Sequence, residues 1–237
     1  MRFLISAVCT LTFCLLTTGA WADSVPIQNA SFASFNPLTS PCTGTGCMFN
    51  FGAIPDWTIS GVNAAAGSFH PGSNTLYFTS PIPVGSVVAF INSGAISQTL
   101  TGVSVLPNST YTLSVDVGRR VDVVGVNYSL NLYNGSISNV FCSTPGGSNN
   151  SSITSGGFAD ITLTCTTGAS VPAGLLGIEL TGDGRQVNFD NVQLNVTTNG
   201  VSTPEPSALA LTVVGLFIGG LLFARSRRNQ YLQSASS

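Results

Sequence analysis

The chain has 237 residues, of which 43% are hydrophobic and only 7% are charged, with a formal net charge of −2. Its seven basic residues are all arginines, and so sparse a positive charge excludes the broad basic surface that nucleic-acid binding requires. The single histidine, His70, excludes a metal site built from several histidines.

The N-terminus has the three parts of a secretory signal peptide. Arg2 precedes an apolar stretch over residues 3–16, and Ala20 and Ala22 occupy the small-residue positions of an A-x-A cleavage site. The apolar stretch is too short for a comfortable membrane span, and a buried first helix is the alternative. We expect residues 1–22 to be removed, so that the mature protein begins at Asp23.

The predicted exported domain, residues 23–200, retains four cysteines in an oxidising compartment. An even number there favours two disulfides, and three pairings are possible. We favour Cys42–Cys47, which closes the short "CTGTGC" loop, and Cys142–Cys165, which joins the ends of a loop rich in Ser, Asn and Gly. A zinc site is the alternative, but no histidine lies near the C-x4-C spacing.

Apolar and polar residues alternate with period two along much of this domain, as in "TYTLSVDV" and "NYSLNLY". Gly, Pro and Asn separate the alternating segments. The predicted strands are 25–32, 56–61, 75–78, 87–92, 96–100, 110–118, 127–133, 158–166, 175–180 and 187–197. About ten short strands with turns between them predict an all-β sandwich or barrel.

Charged residues cluster at one predicted strand end, where Asp116 precedes Arg119, Arg120 and Asp122. A structural ion pair is one interpretation. The other is a ligand site in which Asp116 and the two arginines bind a sugar and an aromatic ring stacks on it. The aromatic candidates are Trp57, Tyr77 and Tyr133. No nucleophile elbow or paired carboxylates stand out, so no catalytic residue is predicted.

The ends of the domain resemble the galactose-binding-like jelly rolls of carbohydrate-binding modules. The resemblance rests on "VPIQNASF" at the start, the early Trp in "IPDWTISG", and the closing "VNFDNVQLNV". It implies a jelly-roll-type β-sandwich. Asp190 matches the aspartate near which such modules hold a structural calcium, but Ala33 stands where they often carry an acidic residue. No cofactor is therefore predicted.

The C-terminal segment, residues 201–228, contains three elements in a fixed order. These are the motif Pro204-Glu205-Pro206, an uncharged apolar stretch over residues 208–224, and Arg225, Arg227 and Arg228. The apolar length is at the lower limit for a transmembrane helix, and the arginines predict that residues 229–237 are cytoplasmic. One interpretation of these elements is an ordinary single-pass membrane anchor.

These three elements resemble the PEP-CTERM sorting signal of exported bacterial proteins, a segment also catalogued as an ice-binding protein C-terminal domain. The resemblance implies processing by exosortase, a membrane-embedded transpeptidase. It also implies inner-membrane anchoring before processing, and then the cell surface or extracellular matrix of a Gram-negative bacterium.

The predicted function is that of a non-catalytic exported surface or matrix protein, sorted by exosortase and able to bind extracellular polysaccharide. The alternative is a secreted hydrolase that acts on polysaccharide, which would require two carboxylates across a cleft. We expect no enzymatic activity, because no such pair stands out in the sequence.

Overall fold

A computed structural model describes residues 22–73, 76–145 and 153–198. Its regular secondary structure there is entirely β, in ten strands. The strands are β1 (Asp23–Val25), β2 (Ser40–Pro41), β3 (Met48–Phe51), β4 (Thr58–His70), β5 (Val88–Ser104), β6 (Ser109–Gly118), β7 (Tyr128–Asn134), β8 (Val140–Ser143), β9 (Phe158–Thr166) and β10 (Leu175–Thr198). The described residues include no helix able to span a membrane, and the predicted span at 208–224 lies outside them.

Three long strands, β4, β5 and β10, each contribute to both layers of a β-sandwich. Their pairings are all antiparallel, and the all-β, jelly-roll-type fold predicted from the sequence is confirmed. The first layer runs β8, β7, residues 175–183 of β10, residues 93–104 of β5 and residues 58–60 of β4. The second layer runs β2, β3, residues 65–70 of β4, residues 88–91 of β5, residues 187–198 of β10, β6 and β9.

The three long strands change layer at neighbouring bends. The β10–β5 pairing shifts register after Asp183, and the β4–β5 pairing shifts after Ser60. Gly94 of β5 has φ 90°, a conformation that side chains rarely allow. A Cβ on Gly94 would lie 2.6 Å from the Ser60 carbonyl oxygen, so glycine is required for the strands to approach this closely.

Several predicted strand boundaries are wrong. The segments 87–92 and 96–100 form the single strand β5, and 175–180 and 187–197 form the single strand β10. The glycines between them bend the strand and do not end it. The segment 25–32 keeps strand structure only in β1, because the chain turns at Asn29 and Phe32, both with positive φ. Residues 76–78 form no strand, and β2, β3 and β8 were not predicted.

Among the described residues, two groups of apolar side chains are buried. The main core fills the space between the layers and includes Phe189 and Leu113. A second cluster covers the outer face of the second layer, with Phe69, Tyr77, Phe78, Val88 and Phe90 among its members. A sheet buried on both faces provides an enclosed surface besides the main core, and the candidate site lies there.

Both disulfides have the pairing favoured above. Cys42–Cys47 closes the turn between β2 and β3. Cys142–Cys165 joins β8, at one edge of the first layer, to β9, at one edge of the second. The second bridge therefore cross-links the two layers.

Candidate functional site

An aromatic cavity of about 240 Å³ lies on the outer face of the second layer. Its walls come from β3, β4, β5 and β10 together with the loops that carry Cys42, Tyr77 and Arg120. The lining residues are Cys42, Phe49, Phe51, Phe69, Tyr77, Phe90, Asn92, Arg120 and Gln186. Five aromatic rings beside a few polar groups are typical of a site for a flat, largely apolar ligand.

Arg120 supplies the positive charge of the aromatic cavity. Its guanidinium carbon lies 4.4 Å from the ring centroid of Tyr77, within the range of a cation–π contact. Asp122 accepts hydrogen bonds from the guanidinium and forms an ion pair with it. A further N–H of Arg120 donates to Gln186 Oε1 over 2.6 Å. The charge is thus balanced, and the guanidinium is held in one orientation.

A row of polar side chains, Gln186, Asn188 and Asp190, follows one face of β10. Gln186 Nε2 donates to Asn188 Oδ1 over 3.0 Å. Phe189, between the last two, points into the main core, so the polar row faces the outer side. Asn188 pairs with Phe90 of β5, and directly paired residues share a face of the sheet. The polar row therefore runs from the wall of the aromatic cavity along the floor of the second cluster.

Asp190 is a fully buried carboxyl, with an exposed fraction of 0%. Burial raises its pKa from the ordinary 3.8 to about 6, because desolvation disfavours the charged form. Hydrogen bonds from the N–H groups of Val84 and Asn191, each of 2.8 Å, oppose this rise, and the negative charge of Asp116 adds to it. A carboxyl with this pKa can hold a proton and release it near neutral pH.

A β-bulge directly after Asp190 shapes its surroundings. The pairing with β6 shifts register between Asp190 and Gln193, and Asn191 has φ 49°. In this left-handed conformation the Asn191 N–H donates to Asp190 Oδ1, and its side-chain amide donates to Asp116 Oδ2 over 2.9 Å. Asparagine tolerates such a conformation better than most residues. The "FDNV" stretch thus holds two carboxyls beside each other without a cation between them.

A covering segment, residues 79–87, lies over Asp190. Val84, 38% exposed, donates its N–H to Asp190 Oδ2, while Ile82 packs against the second cluster. Pro81 and Pro83 have no N–H to donate. A second cavity of about 220 Å³, which also involves His70, is lined by several residues of this segment. The covering segment therefore separates Asp190 from solvent.

Six residues are predicted from the sequence to form a ligand site, and the structure brings three of them to this face. Tyr77 and Arg120 line the aromatic cavity, and Asp116 pairs with Asp190. The other three lie elsewhere. Trp57 packs against Phe32 and donates a hydrogen bond to the Asn29 carbonyl. The hydroxyl of Tyr133 forms a hydrogen bond with that of Thr99 in the first layer, and Arg119 donates to the carbonyls of Val123 and Ile153.

No group of three or more His, Cys, Asp or Glu side chains that could hold a metal ion occurs among the described residues. Asp190 has one acidic neighbour, Asp116, and both of its oxygens accept backbone N–H bonds. A larger groove of about 460 Å³ at the other end of the sandwich, around Phe141 and Val171, is lined by no titratable side chain.

Sequence reasoning missed the phenylalanines of the aromatic cavity as well as Gln186 and Asn188. One signal was present, because Asn188 and Asp190 alternate with apolar residues inside a strand that is buried on both faces. Polar residues at buried strand positions are unusual and need partners.

Three solved structures with the same fold are cyclases. The Stig cyclase Fisc from Fischerella sp. TAU, in complex with (3Z)-3-(1-methyl-2-pyrrolidinylidene)-3H-indole, is 24% identical with a TM-score of 0.59, over 74% of this chain and 98% of that one. A cyclase from Fischerella sp. TAU, in complex with 4-(1H-indol-3-yl)butan-2-one, is 23% identical with a TM-score of 0.60, over 76% of this chain and 100% of that one. An apo cyclase from Fischerella sp. is 25% identical with a TM-score of 0.59, over 76% and 98%.

Among curated protein sequences, none matches this chain. The family model of the HpiC1-like proteins, described as HpiC1 cyclase, matches residues 23–195, which is nearly all of the predicted exported domain. This match corrects the function predicted from the sequence. The non-catalytic surface protein, the absence of enzymatic activity and the alternative of a polysaccharide hydrolase are all wrong, because the matched family is one of cyclases. The chain belongs to the HpiC1-like cyclase family.

Proposed function

We propose that the protein is a cyclase in which Asp190 donates the proton that starts ring closure of an aromatic substrate. The observation that carries this proposal is the fully buried carboxyl of Asp190, whose pKa of about 6 suits proton donation near neutral pH. Family membership supplies the class of reaction.

The chemistry balances as an isomerisation. The protonated carboxyl of Asp190 transfers its proton to a carbon of a pendant alkene, which leaves a cation on the neighbouring carbon. The π electrons of the aromatic ring form the new C–C bond to that cation. The ring then releases a proton, which the Asp190 carboxylate takes back. Faces of nearby aromatic rings, such as Phe90 and Phe69, stabilise the positive charge while it exists.

The substrate class follows from the aromatic cavity and from the ligands of the related cyclases. Five aromatic side chains form most of the cavity wall, and stacking favours a flat ring system. The two Fischerella sp. TAU complexes named above contain indole compounds. We therefore propose a neutral indole with an alkene-bearing side chain as the substrate of this protein.

Access to Asp190 requires the covering segment to move. Thr79 and Ser80 donate their N–H groups to the Gly156 carbonyl at the start of this segment, and further along it Val84 donates to Asp190. The aromatic cavity, at about 240 Å³, is smaller than usual for a drug-sized ligand, and the second cavity of about 220 Å³ involves the same segment. Displacing the segment opens the polar row to a substrate that lies in the aromatic cavity.

The test is turnover of a panel of 3-alkenylindoles, together with binding of 4-(1H-indol-3-yl)butan-2-one measured by calorimetry. We expect at least one alkenylindole to give a product of identical mass and different retention time, with a new ring shown by NMR. Asp190→Asn should lower that rate about 10²–10⁴-fold. The proposal is wrong if the wild-type protein neither converts any panel member nor binds the ketone.

We further propose export, followed by sorting through the C-terminal segment. Two disulfides support an oxidising compartment. The order of Pro204-Glu205-Pro206, the apolar stretch and the arginines supports exosortase as the processing partner. Deleting exosortase in the host should leave a larger, membrane-held form on a blot, and an unchanged size and location would contradict this assignment.

A further inference from the structure

Asn188 has one polar group that the fold leaves unpaired. Its side chain is completely buried, with an exposed fraction of 0%. Its Oδ1 accepts from Gln186, but its Nδ2 has no hydrogen-bond partner among the described residues. Unpaired buried donors are rare in folded proteins because they lose their hydrogen bonds to water and gain none in return.

Arg120 fixes which end of the Asn188 amide is left over. An arginine side chain can only donate hydrogen bonds, so Gln186 must turn its oxygen toward Arg120. The NH2 of Gln186 then faces Asn188, which must offer its oxygen in return. The NH2 of Asn188 is therefore directed away from Gln186. We call the chain of hydrogen bonds from Asp122 through Arg120 and Gln186 to Asn188 the relay. The group left without a partner at its end is a donor, the NH2 of Asn188.

Asn188 lies between the aromatic cavity and Asp190, the two parts of the proposed active site. On β5 it is paired with Phe90, which lines the aromatic cavity, and on β6 with Gly118, which has no side chain. Asp190 lies two residues further along the same face of β10. A molecule that stacks in the aromatic cavity and extends toward Asp190 passes Asn188.

We infer that Asn188 is a substrate-binding residue whose NH2 donates to a neutral hydrogen-bond acceptor on the substrate, such as a carbonyl oxygen or an imine-type nitrogen. This inference rests on the proposed function. A protonated, cationic group has no lone pair to accept from the Asn188 NH2, so this residue does not bind it. An anionic group would lie near Asp190 and Asp116 and is disfavoured by like charge. The relay thus selects neutral substrates that carry an acceptor beside the aromatic ring.

The test compares two probes that differ in one group. 4-(1H-indol-3-yl)butan-2-one carries a ketone, and 3-butylindole has a CH2 in its place. The ratio of their dissociation constants, butyl over ketone, is measured at pH 7 in four proteins. These are the wild type, Asn188→Leu, Gln186→Glu and the control Asn195→Leu, which makes the same change on the same strand beyond the bulge.

We expect Asn188→Leu to lower this ratio about tenfold while 3-butylindole still binds, which also shows that the variant is folded. Gln186→Glu should lower it as well, because a carboxylate accepts from Asn188 and turns its oxygen toward the substrate. Asn195→Leu should keep the wild-type ratio. Equal ratios in all four proteins would overturn the role of Asn188 and leave the proposed function intact. If neither probe binds the wild type, the inference fails, and if the wild type also converts no alkenylindole, the proposed function fails with it.

Discussion

The raised pKa of Asp190 links the proposed chemistry to stability. Below pH 3.8 the folded and unfolded chains both bind the proton, so this group does not favour unfolding. Between pH 3.8 and about 6 the unfolded chain releases its proton while the folded chain retains it. The free energy of unfolding therefore falls across this window and changes no further above it.

Replacing Asp190 by asparagine should remove this pH dependence. Relative to Asp190→Asn, we expect the wild type to lose about 2 kcal/mol of unfolding free energy between pH 4 and pH 7. Urea unfolding at several pH values measures the difference. Asp183→Asn, an exposed change in the same strand, is the matched control and should run parallel to the wild type. Parallel curves for Asp190→Asn and the wild type would contradict a raised pKa.

The covering segment should influence the pKa of Asp190 through the backbone N–H of Val84. Val84→Pro removes the donor to Asp190 Oδ2, and this hydrogen bond lowers the pKa of that carboxyl. The pH above which activity declines should consequently move upward in Val84→Pro. Val84→Ala keeps the N–H and is the control. A profile of pH against rate that is identical in the two variants would show that Val84 does not influence Asp190.

At the level of strands, the bend in β5 depends on glycine. Gly94 and Gly102 both have positive φ, but a Cβ on Gly102 has no atom within 4 Å whereas one on Gly94 lies 2.6 Å from Ser60 O. Gly102→Ala should lower the free energy of unfolding by about 1–2 kcal/mol, because alanine disfavours the backbone conformation. Gly94→Ala should lower it by about 3 kcal/mol or more, because the new Cβ also clashes with Ser60 O. Equal losses in urea unfolding would mean that close approach is unimportant at this bend.

The sequence predicted the strands whose apolar residues alternate without interruption, such as β6, β7 and β9. It did not predict the continuity of β5 and β10, because a glycine in a sequence can end a strand or bend it, and only the partner strands decide which. The candidate site was only partly predictable for a similar reason. Its parts come from four strands and three loops, and nothing in the chain order shows that Phe49, Arg120 and Asn188 share a face.

For the whole molecule, Cys142–Cys165 should contribute more stability than Cys42–Cys47. The first closes a separation of 23 residues and joins the two layers, whereas the second closes only 5. Chain-entropy estimates give about 3 kcal/mol for the longer loop and about 2 kcal/mol for the shorter one. Urea unfolding of the two Cys→Ser double variants measures both. A smaller loss for the variant lacking Cys142–Cys165 would contradict its role as the link between layers.

The pH dependence of kcat/KM for ring closure tests the central claim most directly. With an alkenylindole that the wild type converts, we expect a constant value below about pH 6 and a tenfold fall for each pH unit above it, as Asp190 loses its proton. Asp190→Asn should be about 10²–10⁴-fold slower and lack this fall, while Asp183→Asn should match the wild type. An Asp190→Asn variant that retains the wild-type rate and profile would contradict the account.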